Sequence, residues 1–185
     1  MVGETTRTIL GIDPGTNIMG YGVLNVCGQS TKLVTMGIIT PGKYAGHYDK
    51  LKYIFNRVLS VIDEYQPCEV ALEAPFYGKN VQSMLKLGRA QGVAMAAALY
   101  RELPIFEYAP LKVKQALTGM GKASKDQVAW FLQRMYGITD LPKALDATDA
   151  VAVAFCHWLQ SGRPHQQKEF KNWEEFVRKN PGRVK

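Results

Sequence analysis

The alternation of apolar and polar positions divides the first 75 residues into strands and one helix. The apolar run "TILGID" stops at a Pro-Gly pair and predicts a buried strand over 8–13. "IMGYGVLNV" and "KLVTMGIIT" have the composition of strands, and the turn-rich "CGQST" between them predicts an antiparallel meander. Residues 44–65 change to a helical period. Pro67 ends this helix, and "EVALEA" predicts another buried strand over 69–74.

The rest of the chain reads as helices with one more strand among them. Residues 80–101 are helical in pattern and carry the small-residue run "GVAMAAA", which must pack closely against something. "LPIFEY" is a strand, "PLKVKQALTG" and "SKDQVAWFLQRMYG" are punctuated helices, and a last core helix covers about 144–161. The order β-β-β-α-β-α-β-α-α-α predicts an α/β protein with a mixed five-stranded sheet and helices on both faces.

Length and composition predict one soluble domain. The chain has 185 residues, 46% hydrophobic and 21% charged, without a basic-then-apolar signal region or an apolar run long enough for a membrane span. The three cysteines are widely spaced and odd in number, which does not indicate a disulfide framework. We expect a cytoplasmic protein with a core domain over 1–161. We expect residues 162–185 to be a basic extension, in which the pattern is compatible with a short amphipathic helix before a loose end.

The net charge of +7 is unevenly distributed. Residues 1–75 hold 6 basic and 7 acidic side chains, for a net of −1, and residues 135–185 hold 8 and 6, for a net of +2. Residues 76–134 hold 9 basic and 3 acidic side chains, for a net of +6. Such a concentration suits a polyanion such as nucleic acid, although a merely soluble basic surface is the other interpretation.

Four acids stand in apolar settings. Asp13 and Glu73 each end a predicted strand, and Asp146 and Asp149 in "ALDATDAVAVAF" are spaced i, i+3, on one face of the last helix. If the two strands are neighbours, all four carboxylates can meet at one end of the sheet. Like charges at close range raise each other's pKa, so such a cluster needs a cation. Oxygen ligands suit Mg²⁺ or Mn²⁺, and two such ions are a device for displacement at phosphorus.

Each signal has an ordinary interpretation when it stands alone. Asp13 before Pro-Gly can be a turn former, and Glu73 can cap an element or form a salt bridge. An i, i+3 aspartate pair is usually a solvated helix face. His157, further along the same helix, is interpreted as a packing or surface histidine and not as a ligand.

With these residues in view, the sequence resembles the RuvC family of bacterial Holliday junction resolvases. "ILGIDPGTNIMGYGVL", "ALEAPFYGKN" and "DATDAVAVAF" resemble the segments that carry the family's catalytic acids, here Asp13, Glu73, Asp146 and Asp149. "SMLKLGRAQGVAMAAA" and "FEYAPLKVKQALTGMGKASKDQV" resemble the helix and the basic segment between them. The resemblance covers about residues 8–160.

The resemblance implies a ribonuclease H-like fold and a homodimer that nicks two opposed strands of a four-way DNA junction symmetrically. It implies catalysis with Mg²⁺, for which Mn²⁺ substitutes, with two ions per active site, and cooperation with the RuvAB branch-migration complex. Lys114 aligns with a catalytic lysine, Lys125 with a second functional lysine, and Phe76 with an aromatic ring that stacks on junction bases. The residues expected to contact DNA are Phe76, Lys79, Lys86, Arg89, Lys112, Lys114, Lys122 and Lys125.

Two other classes of protein compete with this interpretation. A DNA-binding module of the same fold without catalysis is one, but all four acids are present. An ATP-using enzyme of the actin and hexokinase type is the other, because "GIDPGT" resembles its phosphate loop. That class needs two such domains and a second glycine-rich loop, which the chain lacks.

Overall fold

The computed structural model describes residues 6–75, 80–139, 144–161 and Arg178. The described elements, in chain order, are β1 (Thr6–Asp13), β2 (Met19–Cys27), β3 (Ser30–Ile39), a 3₁₀ turn (Pro41–Lys43), α1 (His47–Tyr65), β4 (Glu69–Glu73), α2 (Val81–Tyr100), β5 (Ile105–Tyr108), α3 (Pro110–Thr118), α4 (Lys125–Tyr136) and α5 (Asp146–Ser161). Apart from the short 3₁₀ turn, this is the predicted order of strands and helices.

The five described strands form one mixed sheet in the order β3-β2-β1-β4-β5. β1 pairs antiparallel with β2, and β2 with β3, which is the predicted meander. β4 pairs parallel with β1, and β5 parallel with β4. The predicted mixed sheet flanked by helices is therefore confirmed.

The two faces of the sheet bury separate apolar clusters. Leu10, Ile12 and Leu72 on one face pack with buried residues of α1 and α2. Ile9 and Ala71 point to the other face and pack with buried residues of α3, α4 and α5. Because successive strand residues point to opposite faces, strands covered on both sides are almost continuously apolar, as β1 and β4 are.

α5 is the most deeply buried helix of the described chain, and it lies directly on the backbone of β1 and β2. Gly11, Gly20 and Gly22 make this approach possible, because a Cβ atom at Gly11 would lie 2.1 Å from the carbonyl oxygen of Ala150. At its far end α5 is anchored by His157, whose Nδ1 is hydrogen-bonded to the Tyr108 hydroxyl at 2.7 Å and whose Nε2 is hydrogen-bonded to Glu69 at 2.5 Å. His157 is thus a packing histidine, as interpreted from the sequence.

The helix ends follow their local sequence signals. Ser124 caps α4 in a capping box, in which its hydroxyl accepts from the backbone N–H of Gln127 while the Gln127 side chain accepts from the Ser124 N–H. Gly119 and Gly137 end α3 and α4 in the left-handed conformation that glycine adopts without strain.

None of the described helices combines the length and hydropathy that a membrane span requires. Except for Arg178, the predicted extension over 162–185 lies outside the described residues, so its separation from the core at residue 161 stays a prediction.

Candidate active site

Two predicted site residues, Asp13 and Glu73, lie side by side at one edge of the sheet. Asp13 is the last residue of β1 and Glu73 the last of β4, and the parallel register pairs Ile12 with Leu72 immediately before them. Parallel neighbours end at the same edge of a sheet, which brings the two carboxylates together. The end of β4 is held further by a hydrogen bond from the N–H of Ala74 to the carbonyl of Tyr108 at 2.9 Å.

The first turn of α5 brings Asp146 and Asp149 to the same edge. Gly20 pairs with Asp13 across the β1–β2 ladder, and a Cβ atom at Gly20 would lie 1.8 Å from the carbonyl oxygen of Asp146. Asp149 is buried, and its N–H donates to the carbonyl of Leu145 at 2.9 Å. The glycine therefore sets how closely the acidic turn of α5 approaches Asp13.

The carboxylates act on one another electrostatically. Burial, followed by the charges of Glu73, Asp149 and Asp146, raises the pKa of Asp13 to about 8, and Lys125 opposes this shift. Burial and the charge of Asp149 raise the pKa of Glu73 to about 7, against Lys125 and Lys114. A carboxyl group that keeps its proton near neutral pH lacks sufficient positive charge around it.

Lys125 supplies part of the missing charge. It is the first residue of α4, and its ammonium donates to Asp149 Oδ2 at 2.5 Å. Burial lowers the pKa of Lys125, but the hydrogen bond to Asp149 and the charges of Asp149, Asp13 and Asp146 outweigh burial and raise it. The lysine therefore stays charged beside the acids.

Two clefts open beside Glu73. The larger, of about 350 Å³, lies between α3, α4 and α5, and its charged lining residues are Glu73, Lys114, Lys125 and Asp149. The smaller, of about 170 Å³, is lined by Asp13, Glu73 and Gln91 among others. Lys114 and Lys125, both predicted from the resemblance, thus border the same cleft.

The acids converge without forming a closed cage. As the described side chains stand, no three of the His, Cys, Asp and Glu residues surround a common point closely enough to hold an ion. The donor set nevertheless fits a divalent cation, because it consists of carboxylate oxygens and two of its members have raised pKa values.

Gln91 is a site residue that sequence reasoning missed. It is buried on α2, and its amide donates to Glu107 Oε1 at 2.7 Å and, more weakly, to the backbone carbonyl of Glu73 at 3.5 Å. It thereby holds the strand end that carries Glu73. The signal available in the sequence is a polar residue directly before the small-residue run "GVAMAAA".

Four of the remaining predicted DNA contacts lie on the surface. Lys86 and Arg89 are exposed on α2, Lys112 is exposed on α3, and Lys122 is exposed in the turn before α4. The structure brings none of these four into the lining of the two clefts. Phe76 and Lys79 lie outside the described residues.

A ribonuclease H-like sheet with acids from β1, β4 and α5 at one edge defines the class of metal-dependent nucleases to which the junction resolvases belong. The family crossover junction endodeoxyribonuclease RuvC matches residues 9–157, and the chain belongs to this family.

Relatives and solved structures agree with this membership. The crossover junction endodeoxyribonuclease RuvC of Bacteroides fragilis is 61% identical over 97% of this chain and 96% of its own, and that of Porphyromonas gingivalis is 55% identical over 97% of each. The structure of Thermus thermophilus RuvC in complex with a Holliday junction substrate superimposes with a TM-score of 0.78 at 31% identity, over 84% of this chain and 94% of that one. The yeast mitochondrial Holliday junction resolvase Ydc2 shares the fold, with a TM-score of 0.60 at 13% identity, over 88% of this chain and 84% of that one.

Proposed function

We propose that this protein is a crossover junction endodeoxyribonuclease that binds four-way DNA junctions and cuts two opposed strands by metal-dependent hydrolysis. The observation that carries the proposal is the convergence of Asp13, Glu73 and the acidic turn of α5 at one sheet edge, in a chain of the RuvC family. Buried acids with raised pKa values are unfavourable unless a cation compensates them, so this edge is built to receive one.

Asp13, Glu73, Asp146 and Asp149 would hold the metal, and we propose Mg²⁺, replaceable by Mn²⁺, with two ions per active site. Oxygen donors without sulfur or nitrogen suit these hard cations. The ions, when bound, activate the attacking water and stabilise charge on phosphate oxygens.

The side chains around the larger cleft orient the scissile phosphate. Lys114 and Lys125 border the cleft together with Glu73 and Asp149, so a phosphate seated there meets two ammonium groups beside the acids. Lys114 offsets the negative charge that grows on the phosphate as the water oxygen bonds to phosphorus and the bond to O3′ breaks. The leaving oxygen takes a proton, and the products are a 5′-phosphate and a 3′-hydroxyl.

The exposed lysines and Arg89 contact the DNA backbone outside the cleft. Lys86, Lys112 and Lys122 are exposed and suit phosphates of the junction arms. Two further contacts stay predictions from the resemblance. They are the stacking of Phe76 on an unpaired base and a contact of Lys79 with the DNA backbone.

A homodimer accounts for two symmetric nicks, and α2 offers a surface for it. Six exposed residues are spaced along one face of α2, and each has an apolar side chain or, as glycine, none. They are Val81, Leu85, Gly88, Gly92, Ala96 and Leu99. A Cβ atom at Gly88 or Gly92 would have nothing within 4 Å. A stripe of this kind allows a second helix to approach closely.

The family resemblance alone supports cooperation with the RuvAB branch-migration complex. A cytoplasmic location follows from the proposed substrate, because bacterial chromosomal DNA lies there.

Binding and cleavage of a synthetic four-way junction test the proposed function. We expect tight binding in Ca²⁺ and paired incision in Mg²⁺. The variants Asp13→Asn and Asp149→Asn should lose cleavage by a factor of at least about 10³ and still bind the junction, because the acids hold metal and not DNA.

Asp63→Asn is the matched control. Asp63 is an exposed aspartate at the far end of α1, paired with Arg101 at 2.7 Å, and its loss should leave cleavage unchanged. A wild-type protein that binds junctions but never cuts them in Mg²⁺ or Mn²⁺ would refute the catalytic proposal.

A further inference from the structure

A basic segment is concealed in the charge balance of the first 75 residues. That part of the chain has a net charge of −1, yet residues 40–57 hold four basic side chains and one acid, a net of +3. The acids that offset them in the sum lie elsewhere in the fold. Asp13 and Glu73 belong to the candidate active site, and Asp63 lies at the C-terminal end of α1.

The start of this segment lies at the same edge of the sheet as the carboxylates. β3 ends at Ile39, which pairs with Met19 of β2. The next residue of β2, Gly20, pairs with Asp13 of β1. The chain then enters the 3₁₀ turn and α1. Residues 40–53, which we call the β3–α1 corner, therefore begin about two strand spacings, or about 10 Å, from Asp13.

Hydrogen bonds tie the β3–α1 corner to the loop that follows Asp13. The N–H of Gly42 donates to the backbone carbonyl of Asn17 at 2.9 Å, and Lys50 Nζ donates to the Asn17 side-chain oxygen at 3.0 Å. Asn17 lies in the connection between β1 and β2. The corner is thus held in place beside the candidate active site.

The lysines of the β3–α1 corner are oriented but not neutralised. Lys43 Nζ lies 4.3 Å from the ring centroid of Tyr53 and 5.3 Å from that of Tyr44, and the two rings are 5.0 Å apart. In the described part of the chain, neither Lys43 nor Lys50 forms an ion pair with a carboxylate. Both ammonium groups therefore keep their charge available for an anion.

We propose that the β3–α1 corner binds backbone phosphates of a duplex arm of the junction, on the side of the active site opposite to α3 and α4. The larger cleft with Lys114 and Lys125 is lined by α3, α4 and α5, which cover one face of the sheet, whereas α1 packs against the other face. Five strands span about 19 Å, which is several times the rise of about 3.4 Å per phosphate along the axis of a DNA duplex, so more than one phosphate meets this edge. Cations on both sides of the acids hold the strand across the site.

This inference rests on the proposed function, and a binding experiment separates the two. The full chain in an Asp149→Asn background, which we expect to bind without cutting, is titrated with a long-armed four-way junction across a range of salt concentrations. We expect Lys43→Ala with Lys50→Ala to weaken binding by about tenfold and to lower the slope of log K against log salt by about 1–2, since each phosphate contact contributes about 0.9.

Lys43→Ala and Lys50→Ala are also measured singly, and Lys32→Ala is a control of equal charge for each of them. Lys32 is exposed on β3 opposite Asn25, at the other edge of the sheet, so its removal should change neither affinity nor slope. Lys43→Arg with Lys50→Arg should keep the wild-type slope, because the charges remain. Hydroxyl-radical footprinting should show lost protection on one side of the cut site only.

Unchanged affinity and slope in the Lys43→Ala, Lys50→Ala variant would overturn the inference, while cleavage by the wild-type protein would leave the proposed function standing. Weaker binding without any local loss of protection would also overturn it, because the lysines would then act only through net charge. A wild-type protein that neither binds nor cuts junctions would refute both.

Discussion

Asp13 combines burial with proximity to three other acids. For the charged carboxylate this combination is unfavourable without a cation and favourable with one. Without one, burial and the neighbouring charges raise its pKa to about 8, so the side chain keeps a proton that an exposed aspartate loses near pH 4. With a divalent cation the same crowding provides several oxygen ligands. The residue is thus costly to the fold and useful to the site.

The raised pKa of Asp13 predicts how the stability of the metal-free protein depends on pH. Between about pH 4 and pH 8 the unfolded chain has lost the Asp13 proton and the folded chain retains it, so rising pH favours the unfolded state. Asp13→Asn removes this contribution. In EDTA at pH 8 the melting temperature of the variant should exceed that of the wild type, by about 2–4 °C for each kcal/mol of unfolding free energy regained. Near pH 4 the two melting temperatures should match.

Comparing the two proteins at each pH cancels the titrating groups that do not interact with Asp13. Glu73, whose pKa is raised to about 7, should behave in the same way over a narrower range when it is replaced by Gln. A difference in melting temperature that does not change between pH 4 and pH 8 would contradict the assignment.

Lys125 compensates the acids, and its contact with Asp149 would compete with the proposed cation for that carboxylate. Lys125→Met should therefore strengthen Mn²⁺ binding at high pH, by about tenfold, because a charge worth roughly 1.4 kcal/mol no longer opposes the ion. Cleavage should fall by about 10², as expected when a cation is lost beside a developing negative charge. Calorimetric titration with Mn²⁺ and single-turnover cleavage measure the two effects.

Lys122→Met serves as the reference for Lys125→Met. Lys122 is exposed in the turn before α4 and does not line the cleft. Its Mn²⁺ affinity should equal that of the wild type. If Lys125→Met bound Mn²⁺ no more tightly than Lys122→Met, the proposed competition at Asp149 would be wrong.

At the scale of elements, the position of α5 on the sheet determines whether the acids meet. Its first turn lies on Gly20, its middle on Gly11 and Gly22, and its end is held by His157. The helix is therefore fixed along its whole length. The position of the helix backbone therefore determines where the side chains of Asp146 and Asp149 lie.

Gly20→Ala should move the acidic turn away from Asp13. The new Cβ would lie 1.8 Å from the Asp146 carbonyl oxygen, so the helix must shift. We expect a loss of about 1–3 kcal/mol in unfolding free energy from overpacking, and Mn²⁺ affinity reduced by about tenfold or more. Thermal unfolding and Mn²⁺ titration test this expectation.

Gly22→Ala distinguishes the loss of packing from the loss of the site. Its Cβ would meet Val151 Cγ2 at 2.5 Å, beyond the acidic turn. The variant should lose a similar stability but change Mn²⁺ affinity less than Gly20→Ala does. Equal loss of affinity in both would show that the site responds to stability alone.

The sequence predicted the features of the site that depend on local pattern. Asp13 and Glu73 were found because each ends an apolar run, and Asp146 and Asp149 because their spacing matches a helical turn. Contacts between elements were not predictable in this way. Gly20 matters only because it pairs with Asp13 beneath α5, and Gln91 because α2 crosses the end of β4.

Averaging over long segments concealed another feature. Lys43 belongs to a part of the chain with a net negative charge, and its exposure beside the active-site edge is evident only from the fold. Charge balance along a chain therefore underestimates a basic surface when the acids that offset it in the sum belong to other strands and helices.

At the scale of the whole molecule, one chain carries one set of acids, and two opposed nicks need two sets. The exposed stripe on α2 is the surface that we propose for a dimer, with Leu85 52% and Val81 67% exposed. Leu85→Glu should place a charge in the proposed interface and convert the dimer to a monomer, as measured by sedimentation velocity. Met135→Glu, on the exposed side of α4, is the matched control and should remain a dimer.

The products from a cruciform plasmid reveal whether the two nicks are paired. A dimer cuts both strands in one encounter and yields linear DNA. A monomer cuts one strand, which releases the supercoiling that maintains the cruciform and removes the substrate before a second cut. Leu85→Glu should therefore accumulate nicked circles while Met135→Glu yields linear DNA. A Leu85→Glu protein that stays dimeric would exclude this face of α2, whereas a monomer that still produces linear DNA would show that paired incision does not require the dimer.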